Sequence, residues 1–190
     1  MSDQNFYYLF PTVVGTFNLF DSAEDIQPLV QSIEQASKGH NGLISNGNRT
    51  SSSRFLDDHP HLKTRIQKHI DQYTEELGLI QSTVSYSWCN HYTKNGRIRP
   101  HRHELSVVSG AYYPYIDGYG GQLIFENPCN IFKINEVTKS FNEYNRQDFS
   151  IDVYPGLLVL FPSWLTHSSE NNMAENRYVI SFDTTIINNQ

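Results

Sequence analysis

The sequence predicts a mainly β chain of the α+β class, in which two helices buttress one face of an antiparallel barrel or jelly roll. Two stretches with the apolar spacing of amphipathic helices lie before residue 80, and short alternating segments follow from Ser82 onward. Tyr and Phe number 12 and 11, and aromatic residues favour strands over a helical bundle. Helices followed by a run of short strands indicate an antiparallel sheet with its helices on one side.

The length of 190 residues suits one domain, which we expect to span residues 1–190. Within it we distinguish an N-terminal part, 1–80, that holds a strand and the two helices. The second part, 82–187, is the β core and contains the residues of the candidate site. The sequence contains no internal repeat and no low-complexity linker that would divide it further.

The first predicted helix follows a start signal at residues 21–22 and stops at Gly39. Its apolar residues recur at helical spacing: Ile26, Leu29, Val30 and Ile33. Pro28 would interrupt the interior of a helix, so we expect the regular helix to begin only just before it.

The second predicted helix begins at Asp58, which we expect to act as its N-cap, with Pro60 near the first position. Gly78 ends it. Its buried stripe consists of Leu62, Ile66, Ile70, Tyr73 and Leu77. His59, His61 and His69 belong to this region, and we interpret them as surface or packing residues because none has a ligand-like partner in the sequence.

Strands are predicted wherever apolar and polar residues alternate or β-branched and aromatic residues cluster. These segments are residues 6–17, 84–92, 107–115, 122–125, 149–153, 157–161 and 177–187. Turns are expected at 94–96 and 117–121, where Gly and Asn or Asp occur together. Residues 38–54 are predicted to be a loop, and residues 127–146 a polar hairpin or insertion.

The composition argues against several classes of function. A net charge of −6 and a pI near 5.7 do not suit a protein that binds nucleic acid through its charge. No apolar run is long enough for a membrane span, and the N-terminus lacks the pattern of a signal peptide. The two cysteines form no framework, so a reducing cytoplasm is the expected compartment. The sequence leaves the assembly open, including a homodimer.

The most informative motif is RPHRHE at residues 99–104, which places His101 and His103 two residues apart. In extended chain both side chains would lie on one face, where two imidazoles can bind one metal ion. A third candidate ligand, His167, follows 64 positions after His103. We find no convincing fourth ligand, and an open coordination sphere is typical of a catalytic metal. Three imidazoles suit Fe, Zn, Cu or Ni and do not choose among them.

Arg177 adds a second element to the candidate site. It shares strand parity with Ser181, so both side chains can face the interior of the predicted barrel. A buried guanidinium needs an anion, and we find no carboxylate close to it on the same strand face, since Asp183 comes near the strand's end. A small-molecule carboxylate held by Arg177 and Ser181 would satisfy it.

With these residues the sequence resembles a known family, the 2-oxoglutarate/Fe(II)-dependent oxygenases of the prolyl-hydroxylase-like branch. Within that branch it most resembles a bacterial and phage group. The resemblance extends from Trp88 to Asp183, about half of the chain. Its motifs are PHRH (100–103), SGAYY (109–113), GGQLIF (120–125), PGL (155–157), FPSWLTH (161–167) and RYVIS (177–181). It implies a double-stranded β-helix that holds one Fe(II), with 2-oxoglutarate as cosubstrate and O2 as oxidant.

The resemblance also implies roles for individual residues. His101 and His167 match the two family histidines that bind iron. Arg177 matches the basic residue that binds the distal carboxylate of 2-oxoglutarate, with Ser181 as a hydroxyl helper. A cosubstrate-binding tyrosine of the family corresponds to Tyr113, and Leu123 would pack against the cosubstrate.

One position departs from the family pattern. The wider superfamily has Asp or Glu as the second ligand, and here His103 stands in that place. Either three histidines hold the metal or the adjacent Glu104 takes part. Glu104 has the wrong strand parity, so we prefer His103.

The resulting prediction is a dioxygenase that hydroxylates an unidentified substrate, either a small molecule or a protein side chain, with succinate and CO2 as coproducts. One alternative is a tri-histidine cupin-type metalloenzyme that does not use 2-oxoglutarate, in which Arg177 would bind the substrate. Another is a jelly-roll module that binds a ligand or partner without catalysis and without stoichiometric metal.

Overall fold

The computed structural model describes residues 9–19, 23–38, 43–49, 53–133 and 137–186. The described elements, in chain order, are β1 (Gly15–Asn18), α1 (Ala23–Ala36), β2 (Ile44–Arg49), α2 (Pro60–Glu76), β3 (Ser82–Ile98), β4 (Val108–Ile116), β5 (Gln122–Glu126), β6 (Asp148–Asp152), β7 (Leu157–Pro162), β8 (His167–Ser169) and β9 (Asn176–Ile186). Short 3₁₀ turns occupy Phe55–Asp58 and Asn130–Phe132.

The strands form two antiparallel sheets. The larger has the order β1-β7-β4-β9-β3-β2, and the smaller has the order β6-β5-β8. Non-consecutive neighbours in the larger sheet, such as β4 between β7 and β9, are the pattern of a jelly roll. The predicted fold class, a mainly β jelly roll with two helices against one face, is confirmed.

Two apolar clusters divide the interior, and the alternation along β9 shows how. Tyr178, Ile180 and Phe182 belong to the cluster that packs under the helices, with residues such as Ile33 and Ile66. Val179 belongs to the cluster shared with the smaller sheet, and Arg177 and Ser181, of the same parity, line a cavity there. The helices therefore cover one face of the larger sheet, while the cavity lies on the other face.

The starts of both helices differ from prediction. α1 begins at Ala23 and continues through Pro28, so the expected later start is wrong. Asp58 is not the cap of α2, because it lies in the preceding 3₁₀ turn, and His59 is the N-cap residue without a side-chain hydrogen bond. Pro60 is the first residue of α2, and Gly78, with a φ of 62°, follows its end as predicted.

The turn predicted at residues 94–96 is instead an irregularity within one long strand, β3. Asn95 adopts a φ of 64°, and the pairing of β2 with β3 shifts register between Ser45 and Gly47. A Cβ atom on Gly96 would lie 2.4 Å from the carbonyl oxygen of Asn46, so glycine is required by the close backbone approach. The chain bulges here without reversing, because β2 continues to pair with β3 on both sides of the shift.

The structure also describes parts of the two connections predicted at 38–54 and 127–146. Part of the predicted loop at 38–54 forms β2, which sits at the edge of the larger sheet. The described residues of 127–146 contain a 3₁₀ turn and no strand, so of the two predicted forms they fit the polar insertion and not the hairpin. β8 was not predicted because it has only three residues. Some predictions lie outside the described residues. They are the helix start at 21–22, the helix stop at Gly39, the beginning of the strand expected at 6–17, and Ile187 at the end of the last strand. Among the described residues, no helix is long and apolar enough to cross a membrane.

Candidate metal centre and carboxylate site

His101, His103 and His167 converge on one point, with one ring nitrogen of each lying within 4.8 Å of those of the other two. Backbone hydrogen bonds set their positions. His101 and His167 exchange N–H···O bonds of 3.0 and 2.9 Å, and the amide of His103 donates to Ser163 O at 2.9 Å. The segment after β3 is thereby tied to β8 and to the connection that precedes β8, and this attachment brings the three rings together.

Each of the three rings is oriented by an oxygen at its Nδ1 atom. His101 Nδ1 lies 2.9 Å from Arg99 O, and His167 Nδ1 lies 3.0 Å from Leu165 O. His103 Nδ1 lies 2.9 Å from the Asp183 carboxylate. Because these oxygens only accept, the proton of each neutral ring resides on Nδ1, and Nε2 is the nitrogen suited to a metal. This arrangement is the usual outer shell of histidine ligands.

The protonation of His167 also suits metal binding. Burial, reinforced by the neighbouring His101, lowers the pKa of His167 to about 3. The ring is therefore neutral at neutral pH, which is the form that coordinates a metal ion. The residues present fit a divalent transition ion with positions left open for other ligands.

Glu104, the alternative second ligand, is placed away from the cluster. Its side chain is 75% exposed and forms an ion pair of 3.2 Å with Arg102. The group of possible metal ligands contains His103 and not Glu104. This placement supports the preference for His103.

Arg177 is 1% exposed and has an unusual set of partners for a buried cation. Its guanidinium donates to Gly120 O at 2.5 Å and to Ser169 Oγ at 3.1 Å, and it lies 4.4 Å from the centre of the Tyr92 ring. Among the described residues, its Nε has no hydrogen-bond partner and no carboxylate forms an ion pair with it. A buried positive charge with an unused donor fits a bound anion.

All seven residues singled out in the sequence line a single cavity between the sheets. They are His101, His103, His167, Arg177, Ser181, Tyr113 and Leu123. Burial raises the pKa of Tyr113 to about 12, so its phenol keeps its proton and can donate to a carboxylate. The cavity thus combines three convergent imidazoles with a cation and hydroxyl groups suited to a small carboxylate ligand.

Two polar residues were not singled out in the sequence, one that lines the cavity and one that contacts His103. Asn90 lines the cavity between Trp88 and Tyr92, and its Oδ1 is buried without a partner among the described residues. Alternation along β3 could have indicated it. Asp183 shares the strand parity of Arg177 and Ser181, and this parity is the signal in the sequence that its side chain faces inward.

Comparison with known proteins gives a family and a fold. A protein-family model described as "Putative 2OG-Fe(II) oxygenase" matches residues 86–183, which is 98 of the 190 residues. The matched region contains β4 to β8 and most of β3 and β9, and it includes every residue of the candidate site. No curated protein matches the chain.

Several solved structures share the fold at low sequence identity. A Trichoplax adhaerens prolyl hydroxylase, in complex with a hypoxia-inducible-factor peptide, is 17% identical with a TM-score of 0.62, over 90% of this chain and 82% of that one. A Pseudomonas putida prolyl-4-hydroxylase is 15% identical with a TM-score of 0.59, over 93% and 94%. Streptomyces hygroscopicus HygX, with nickel, 2-oxoglutarate and hygromycin B bound, is 10% identical with a TM-score of 0.62, over 93% and 84%.

Proposed function

The chain belongs to the family described as "Putative 2OG-Fe(II) oxygenase", and from that membership we propose that it hydroxylates a C–H bond of a substrate and releases succinate and CO2. The family uses Fe(II), 2-oxoglutarate and O2. The observation that most supports the proposal is the content of one cavity. It holds three oriented imidazoles and a buried guanidinium that lacks an ion-pair partner among the described residues.

The roles we propose for the residues follow from this cavity. His101, His103 and His167 hold the iron, which supplies together with 2-oxoglutarate and O2 the oxidising power for hydroxylation. Arg177 binds the distal carboxylate of 2-oxoglutarate, since it lines the cavity and its Nε has no hydrogen-bond partner among the described residues. Ser181 and the protonated Tyr113 add hydroxyl donors, and the buried Leu123 packs against the cosubstrate.

The substrate is proposed at the level of class, as a small molecule or a protein side chain. The similar structures include one complex with a peptide and one with hygromycin B. Those ligands belong to those proteins, and the shared fold does not choose between the two classes for this chain.

The assignment of His103 over Glu104 predicts an order of iron affinities. His103→Ala should bind Fe(II) far more weakly than the unaltered protein, because one of three ligands is lost. His103→Asp should retain binding with some loss, since aspartate offers an oxygen in the same direction. Glu104→Ala should bind nearly as the unaltered protein does, because Glu104 is exposed and paired with Arg102. Anaerobic Fe(II) titration measures the order, and loss of binding in Glu104→Ala alone would reverse the assignment.

The proposed function is tested by following 2-oxoglutarate and O2 together. Protein purified without oxygen and loaded with Fe(II) is mixed with 2-oxoglutarate and, in parallel, with the small-molecule fraction or the protein fraction of a cell extract, and then O2 is admitted. We expect succinate to form in proportion to the enzyme and to disappear when either Fe(II) or 2-oxoglutarate is omitted. Oxygen consumption that does not require 2-oxoglutarate would instead support the tri-histidine alternative. Failure to bind stoichiometric metal would support the non-catalytic module.

A further inference from the structure

The three candidate ligands differ in the partner that each Nδ1 atom contacts. His101 and His167 face the carbonyl oxygens of Arg99 and Leu165, which are neutral and belong to residues two positions earlier in the chain. Among the contacts of these three Nδ1 atoms with described residues, the one made by His103 is to a carboxylate, that of Asp183, at 2.9 Å and 80 positions away. His103 is also the residue that occupies the place of a carboxylate ligand in the common two-histidine, one-carboxylate iron site.

From this contrast we infer that Asp183 is a positioning residue for His103. Through the His103 ring, its carboxylate provides the iron site with the negative charge that the three metal ligands themselves lack. The inference rests on the proposed function, because it requires that His103 binds the metal. A carboxylate that accepts from the far nitrogen of a ligating imidazole fixes the ring and makes it a more basic ligand. A metal site with three neutral ligands gains more from a nearby negative charge than a site whose ligands already include a carboxylate.

The surroundings of Asp183 hold its carboxylate in place for this role. Asp183 lies on β9 and is 7% exposed. Its second oxygen accepts a hydrogen bond of 2.5 Å from Ser109 Oγ. Ser109 has one hydroxyl proton and gives it to the carboxylate, so it accepts from Ser163 Oγ, which lies 2.9 Å away. The register of β4 against β9 pairs Ser109 directly with Asp183.

The same hydrogen-bond network includes Ser163, which also contacts His103. His103 is therefore held by three contacts, at its Nδ1 atom, its backbone amide and its ring face. The backbone amide of His103 donates to Ser163 O, and its ring stacks on Trp88 with centroids 5.5 Å apart. Each carboxylate oxygen of Asp183 has a protein partner, His103 Nδ1 for one and Ser109 Oγ for the other. The Asp183 carboxylate is thus directed at the His103 imidazole. It forms no ion pair with Arg177, so it does not neutralise that buried cation.

The test is a double-mutant cycle read out as Fe(II) affinity, measured without oxygen by competition with a chromogenic chelator. Asp183→Asn keeps the size and one acceptor oxygen but removes the charge. We expect it to weaken Fe(II) binding about 10- to 100-fold, the range found for outer-shell partners of metal ligands. In a His103→Asp background, where the metal ligand is itself a carboxylate, the same change should weaken binding by about threefold or less.

The controls separate this inference from the proposed function and from a structural role. Asp148→Asn changes the net charge equally at an exposed position and should leave affinity unchanged. His101→Ala, measured in parallel, should lose the metal. If it does and Asp183→Asn binds iron as the unaltered protein does, the inference fails while the metal site stands. An equal loss from Asp183→Asn in both backgrounds would also overturn the inference, since a general packing effect would not depend on residue 103.

Discussion

His101→Ala and His167→Ala are each expected to abolish stoichiometric Fe(II) binding, which is the largest effect that the structure predicts. The three ring nitrogens lie within 4.8 Å of one another, so removing one ring leaves only two ligands at the site. Replacing an outer-shell partner of a ligand costs about 10- to 100-fold in metal affinity, and we expect the loss of a ligand to cost more. Metal content after anaerobic loading and desalting measures the effect.

A matched control is available on the opposite side of the molecule. His61→Ala removes an exposed histidine of α2 that faces another groove, so it should keep full metal content. Circular dichroism establishes whether the site variants are folded. Full metal occupancy in folded His101→Ala and His167→Ala would mean that the ion binds elsewhere.

Arg177→Ala is expected to weaken 2-oxoglutarate binding about tenfold to a hundredfold while leaving Fe(II) affinity nearly unchanged. A hydrogen bond to a charged group contributes about 1.5–3 kcal/mol, and each 1.4 kcal/mol is about tenfold in affinity. Iron binding should persist because Arg177 is not among the candidate metal ligands. Anaerobic titration of 2-oxoglutarate into the Fe(II) protein measures the change.

Two further variants show whether the loss reflects binding or damage to the fold. Arg177→Lys keeps a positive charge and should lose less affinity, although lysine cannot reproduce a forked contact. Tyr113→Phe removes one neutral donor while preserving the buried ring, so a loss of about twofold to tenfold is expected. Unchanged 2-oxoglutarate affinity in folded Arg177→Ala would remove Arg177 from the cosubstrate site.

The parts of the fold that were predicted correctly depend on regular alternation. Arg177 and Ser181 were placed on one face from parity alone, and β9 runs regularly enough for that parity to hold. The rings of His101 and His103 also converge, as their parity predicts, and backbone hydrogen bonds to His167 and Ser163 fix the segment that holds them. Alternation in the sequence was therefore enough to predict side-chain direction where a strand is regular.

The parts that were missed depend on pairing between distant segments. The continuation of β3 through Asn95 requires β2 opposite it, and the polar sequence of β2 gives no alternation by which to recognise a strand. The register of β4 against β9 pairs Asp183 with Ser109, and the contact of Asp183 with His103 joins residues 80 positions apart; a single sequence reveals neither. Sequence parity could suggest that Asp183 faces inward, and only the register shows which side chain it meets.

The most direct test of the central claim is whether 2-oxoglutarate binding depends on iron at the histidine cluster. Under anaerobic conditions, 2-oxoglutarate is titrated into the unaltered protein with and without Fe(II), and the charge-transfer absorption of the complex is followed. We predict absorption that saturates at one 2-oxoglutarate per iron and is absent without Fe(II) and in His101→Ala. Absence of the absorption from iron-loaded, folded protein, or its persistence in His101→Ala, would contradict the account.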